Sequence, residues 1–214
     1  MTMQEPVDLL YIEASPMGGA STSRAVAQSF LDAYRRANPT HSVDTLNVWD
    51  TELPPFDARM IAAKFAVLRK HQATPEQQAL WDSACAISRR FNRARRYLFA
   101  LPMWNFGLPY RLKHFIDVVT LPGENWQWSR ETGYVALLQD RKAMVVYSSA
   151  GDYPATQPAD PSDHQKPQMR RWLQFIGVDD VQELAVGPTL VPPDTLQATR
   201  EAAMRRAAEV GAAF

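Results

Sequence analysis

Short apolar runs alternate with longer stretches whose apolar residues recur at helical spacing. The run over residues 7–14 is mostly apolar and interrupted only by Asp8 and Glu13. Its length and composition predict a buried strand. Over 22–37, Val26, Ala27, Phe30, Leu31 and Tyr34 fall on one helical face. Residues 42–49 set Val43, Thr45 and Asn47 against Asp44, Leu46 and Val48, which predicts a second strand. Leu53-Pro54-Pro55-Phe56 is a stiff connection. Helices are expected over 58–70 and 75–93; Thr74 before Pro75 pairs a hydroxyl cap with proline at the first helical position. A strand over 95–101 and a helix over 109–119 follow. Residues 121–133 read as irregular and carry Trp126 and Trp128. Then come a strand over 142–149, a polar loop over 149–166 with Pro154, Pro158 and Pro161, a helix over 168–176, a strand over 180–186 and a helix over 194–213.

Strand followed by helix, repeated, predicts an α/β fold: a parallel sheet covered by helices on both faces. Crossovers in such sheets are right-handed, and ligands bind beyond the carboxyl ends of the strands. Three loops occupy that end: 15–23, 102–108 and 148–153. A chain of 214 residues suits one domain, 1–214.

Charge and cysteine content narrow the function. Lys+Arg and Asp+Glu are 23 each, so the basic excess of a nucleic-acid binder is missing. The single cysteine, Cys85, excludes an intramolecular disulfide and sits in a segment that reads as helix core. The first residues lack a basic leader, and no apolar run nears the ~20 residues of a membrane span, so a soluble, cytoplasmic protein without membrane contact is expected. The four histidines show no metal-ligand spacing. His114, in the helix after the 102–108 loop, and His164, in the polar loop, read as surface or structural residues, with His164 nearer the expected pocket; His41 and His71 carry no signal.

The first loop, Ser15-Pro-Met-Gly-Gly-Ala-Ser21-Thr22-Ser23, runs into a helix. Free N–H groups and the positive end of the helix favour an anion there, and hydroxyls add donors without charge. It lacks the lysine of a P-loop and the spacing of a dinucleotide fingerprint. A simple hydroxyl-capped helix start remains the alternative. The second loop, Pro102-Met103-Trp104-Asn105-Phe106-Gly107, offers aromatics, sulfur and an amide, suited to a flat heteroaromatic ring with hydrogen-bonding edges; a packed aromatic turn is the other reading. The third, Ser148-Ser149-Ala150-Gly151-Asp152-Tyr153, is small enough for close backbone approach to a planar edge, or is a solvent-facing turn.

Taken together, SxxxxxSxS, PMxNF and a small-residue loop resemble the FMN-dependent NAD(P)H azoreductases and quinone reductases of the flavodoxin-like group. LPMWNFGLPYRLKHFIDVV and WLQFIGVDDV extend the resemblance along nearly the whole chain. The resemblance implies a five-stranded parallel sheet of order 2-1-3-4-5. It implies that Ser15, Ser21, Thr22 and Ser23 hold the FMN phosphate. Pro102, Met103, Trp104, Asn105 and Phe106 would line the isoalloxazine, and Ser148, Ser149, Gly151 and Tyr153 would contact the ring or ribityl chain. It also implies a homodimer with active sites at the interface, where Trp126, Trp128 and Phe175 form the substrate pocket. Three departures stand out: Trp104 replaces the usual tyrosine, Ser148-Ser149-Ala150-Gly151 replaces SRGG, and both Trp126 and Trp128 replace a Phe and Tyr pair.

The implied chemistry is ping-pong: NADH or NADPH reduces the flavin at N5 and leaves, and a quinone, azo compound or other flat acceptor takes two electrons. No side chain acts as nucleophile; Tyr153 and N–H groups near Gly151 would stabilise charge on the reduced ring. Arg59, Arg130 and Lys166 are the cations available to an NADPH phosphate. Two alternatives stand beside this one: a flavodoxin-type electron carrier or flavin-binding sensor, against which the zero net charge speaks, and a specialised pathway reductase, which the tryptophans favour.

Overall fold

The computed structural model describes residues 5–69, 72–156, 158 and 160–214. Five parallel strands form its sheet: β1 (Val7–Glu13), β2 (Val43–Asn47), β3 (Ala94–Pro102), β6 (Lys142–Ser148) and β7 (Asp180–Val186). Their order is β2-β1-β3-β6-β7, the 2-1-3-4-5 arrangement that the resemblance implies. The helices are α1 (Thr22–Ala37), α2 (Ala58–Leu68), α3 (Pro75–Asn92), α4 (Tyr110–Val119), α5 (Gln165–Ile176) and α6 (Pro193–Ala213). The expected end of α2 at Lys70, His71, and residues 157 and 159 of the polar loop lie outside the described residues.

The central strands are apolar in succession because both sheet faces are covered. On one face Leu9, Leu98, Ala100 and Val146 pack against Phe30 and Tyr34 of α1 and Ala203 and Ala207 of α6. On the other, Leu10, Ile12, Phe99 and Val145 meet Phe91 of α3, Phe115 of α4 and Trp172 of α5. Each large apolar side chain so buried contributes about 1.5–3 kcal/mol. α3 starts as expected: Thr74 and Gln77 exchange side-chain-to-backbone bonds in a capping box ahead of Pro75.

The segment after α4 departs from expectation. It forms a two-stranded antiparallel hairpin, β4 (Trp126–Ser129) with β5 (Gly133–Ala136). Trp126 and Trp128 alternate with Gln127 and so share a face with Tyr134. Gly133, at φ +67, takes the chain into the return strand. α5 also begins three residues early, since the Asp163 carboxylate accepts the N–H groups of Gln165 and Lys166.

Candidate functional site

Every strand of the parallel sheet points its carboxyl end to the same side, and the order reverses between β1 and β3. The N–H of Ala14 donates to Ala100 over 2.9 Å, and that of Met103 to Ser148 over 2.7 Å. These bonds hold the loops after β1, β3 and β6 side by side. Between them lies a cleft of about 290 Å³ walled by Ser15, Ser21, Thr22, Pro102, Met103, Ser148 and Ser149, all expected site residues. Met17, Ala20, Ala150 and Thr189 complete it, and none of its walls carries a charged side chain. Thr189 was missed from sequence, although its N–H donates to Ser149 over 3.0 Å.

The first loop makes a short 3-10 turn at Gly18–Ala20 before Ser21 caps α1. The Ser21 hydroxyl accepts the N–H of Arg24 and lies 3.2 Å from that of Ser23, which is fully buried. Ser23 therefore braces the turn from behind. Thr22 and Ser23 contribute N–H groups in the first helical turn, where no intrahelical acceptor exists. Ser15 is almost fully buried at the mouth of the loop.

The second loop is a tight two-residue turn. Trp104 and Gly107 bond each other's backbones both ways, and Asn105 and Phe106 take positive φ values of 47 and 68. This throws Trp104, Asn105 and Phe106 outward, off the cleft walls. Trp104 meets Trp49, 5.7 Å between ring centres, and Trp49 meets Tyr110 at 5.5 Å. Trp49, just past β2, gave no sequence signal; its Nε1–H donates to the Ala14 carbonyl and so ties this aromatic group to the end of β1. Gln165 Nε2 donates to Pro102 over 2.6 Å, while its Oε1 is buried without a partner.

In the third loop the Tyr153 ring folds back over Gly151, where an added Cβ would lie 2.9 Å from the ring. The floor beneath is charged. Lys166 Nζ sits 2.6 Å from Asp163 Oδ2, with both side chains 1% exposed, and lies 5.1 and 5.8 Å from the ring centres of Tyr147 and Tyr153. The Tyr147 hydroxyl donates to Glu183, and burial pushes its ionisation well above the ordinary tyrosine range. Lys166, one of the three cations available from sequence to an NADPH phosphate, is sealed inside the protein and out of its reach.

Trp126, Trp128 and Phe175 form a separate group on the β4–β5 face. Trp126 lies 5.6 Å from Phe175 and 5.5 Å from Tyr134, while Trp128 and Tyr134 are exposed. His114 Nε2 binds the Pro54 carbonyl at 2.9 Å, a structural contact. His164 is exposed, and its backbone N–H donates to Phe106. His164 borders a cavity of about 820 Å³ between residues 158–164, α5 and β7. That groove holds none of the expected ring or phosphate residues, and its mixed charges suit no one ligand; the small cleft at the strand ends is the candidate site. No described helix is long and apolar enough to cross a membrane.

A family model described as flavodoxin-like fold matches residues 8–210. The chain is 39% identical over 207 residues to an FMN-dependent NADH:quinone oxidoreductase of Nitratidesulfovibrio vulgaris, covering 96% of this chain and 99% of that one. It is 40% identical over 182 residues to a protein of the same name from Desulfotalea psychrophila, with 85% of each chain covered. Its fold matches an azoreductase of Bacillus anthracis at TM-score 0.87, with 23% identity over 97% of this chain and all of that one. An FMN-dependent NADH-azoreductase of the same organism, solved in complex with FMN, matches at TM-score 0.83, with 24% identity over 96% and 99% of the two chains.

Proposed function

The chain belongs to the flavodoxin-like fold family, and from that premise we propose that it is an FMN-dependent NADH:quinone oxidoreductase. The observation that carries the reading is the convergence of three loops on one cleft that offers backbone and hydroxyl donors and no charged wall. Curated relatives that match 85–96% of the chain carry that name.

The residues present suit FMN. A phosphate needs converging donors more than bulk charge, and Ser15, Thr22 and the first-turn N–H groups of α1 supply them. Met103 and Pro102 give an apolar wall for a ring. Ser148, Ser149 and Gly151 leave space for a polar ring edge, and Tyr153 packs over Gly151. Bound FMN would supply the redox chemistry, taking a hydride from NADH and passing two electrons to a quinone or azo acceptor. The protein's own part is to bind and orient. The donors of the first loop anchor one end, the Met103–Ser148 bond keeps the two ring loops in register, and the buried floor under Tyr153 keeps that end rigid.

The reading includes a homodimer and a cytoplasmic location. Trp104, Phe106, Tyr110, Trp128 and Tyr134 are all exposed, large apolar side chains of the kind a subunit interface covers. In that dimer Trp128 and Tyr134 would face the partner's site, and the Trp49–Trp104–Tyr110 group would narrow the choice of acceptor.

Purified protein should be yellow, or become so on adding FMN, and should oxidise NADH when a soluble quinone is supplied. Colourless protein that binds no added FMN sinks the reading. Sedimentation should give a dimer, and Trp128→Glu with Tyr134→Glu should move it toward monomer.

A further inference from the structure

A cation stands behind the phosphate-binding loop in a place where helix electrostatics disfavour it. Arg24 is the third residue of α1. The helix N-terminus carries partial positive charge, so a basic side chain there is opposed, whereas Arg35 and Arg36 in the last turn of the same helix are favoured. Two features hold Arg24 in this position. Its Nε lies 3.2 Å from Oε1 of Glu13, whose side chain is only 6% exposed, and its Nη1 comes within 3.6 Å of where a Cβ on Gly18 would stand. The guanidinium thus bridges the end of β1 and the loop itself.

Resting on the FMN reading above, we propose that Arg24 is a specificity-determining contact of that site: the guanidinium supplies the one positive side chain at the phosphate loop, held there by Glu13, and so selects phosphorylated flavin over riboflavin. The cleft walls carry no charged side chain, and Arg24 stands beside them, against Gly18 of the loop. A phosphate near Gly18 would bring to Arg24 the negative charge that its helix position lacks. Glu13 ends β1 and is buried, so it stays fixed, while Arg24 is 42% exposed and has donors left for a second partner. Burial raises the Glu13 carboxyl above its ordinary range, and the Arg24 guanidinium beside it pulls in the opposite direction. A planar guanidinium can serve both partners, since its donors point along separate edges.

The experiment titrates flavin-free protein with FMN and with riboflavin, following quenching of flavin fluorescence, for wild type, Arg24→Ala and Arg24→Lys. Arg24→Ala should weaken FMN roughly ten- to hundredfold, the range for losing a hydrogen bond to a charged group, and leave riboflavin unchanged. Arg24→Lys should recover part of the FMN affinity. If Arg24→Ala weakens both flavins equally, or neither, the proposal is overturned and Arg24 only ties β1 to α1. Wild type provides a second reading that needs no variant: added salt should weaken FMN more steeply than riboflavin, and equal salt dependence overturns the proposal. Wild type that binds neither flavin would instead overturn the FMN reading itself, and this proposal with it.

Discussion

An added Cβ on Gly187, just past β7, would lie 2.8 Å from the Ser149 hydroxyl oxygen and 2.7 Å from the carbonyl oxygen of Gly151. The chain after the last strand therefore presses directly on the loop that follows β6. The Ser149 hydroxyl in turn donates to the Gly151 carbonyl over 3.0 Å, so the loop is braced from within and from behind. Gly187→Ala should push this loop into the cleft at a cost of about 1–3 kcal/mol, the usual penalty for overpacking. The expected outcome is a folded protein by circular dichroism with at least tenfold weaker FMN binding, about 1.4 kcal/mol. Unchanged FMN affinity would show that the loop does not contact the flavin.

The Asp163–Lys166 pair gives a second prediction. Breaking a buried pair from one side leaves an uncompensated charge and costs about 3–5 kcal/mol, whereas removing both charges costs much less. Lys166→Met alone should lower urea stability by that amount. Adding Asp163→Asn should restore part of the loss, though not all, because the Asp163 carboxylate also accepts two backbone N–H groups at the start of α5. A double variant no better than the single one would mean that the two charges are not coupled.

Acid stability should depend on Asp44. Side-chain hydrogen bonds from Arg90 and Arg93 hold its carboxyl below the ordinary value of 3.8. With the folded value lowered, the stabilisation is present above the unfolded value and is lost as pH falls through the folded one. Asp44→Asn should therefore be less stable than wild type at neutral pH, by about 1 kcal/mol for this half-screened pair. The gap should close as pH drops below 3.8. Paired denaturation curves at neutral and acid pH test this, and a gap that persists in acid argues against it.

Cys85 is buried, and burial pushes its thiol up to about 11. At neutral pH almost no thiolate forms, so the native protein should react with a disulfide reagent only as fast as it unfolds. Cys85→Ala should keep full NADH oxidation. Rapid labelling without denaturant would contradict the burial.

Local pattern accounts for much of the fold. β1, β3 and β6 are apolar runs, the helices carry amphipathic spacing or caps, and each signal depends on residues within a few positions of one another. The loops at 15–23, 102–108 and 148–153 could be singled out for the same reason, since strand–helix alternation fixes which end of the sheet they occupy. The hairpin at Trp126–Ala136 was missed because four-residue strands leave a weak period. Its pairing becomes visible only when Trp126 packs on Phe175 of α5.

The sequence by itself determined the parallel sheet, its helical cover and the hydroxyl-rich start of α1. Only the tertiary structure decided which side chains face the cleft. It brought Thr189 beside Ser149, set Trp49 against Trp104, turned Asn105 and Phe106 outward, and sealed Lys166 against Asp163. Such contacts join segments far apart in the chain, and a side chain's exposure and partners arise only once those segments meet. Arg24 draws on both levels: its misplacement at a helix start is legible in the sequence, while its contacts with Glu13 and Gly18 exist only in the folded chain.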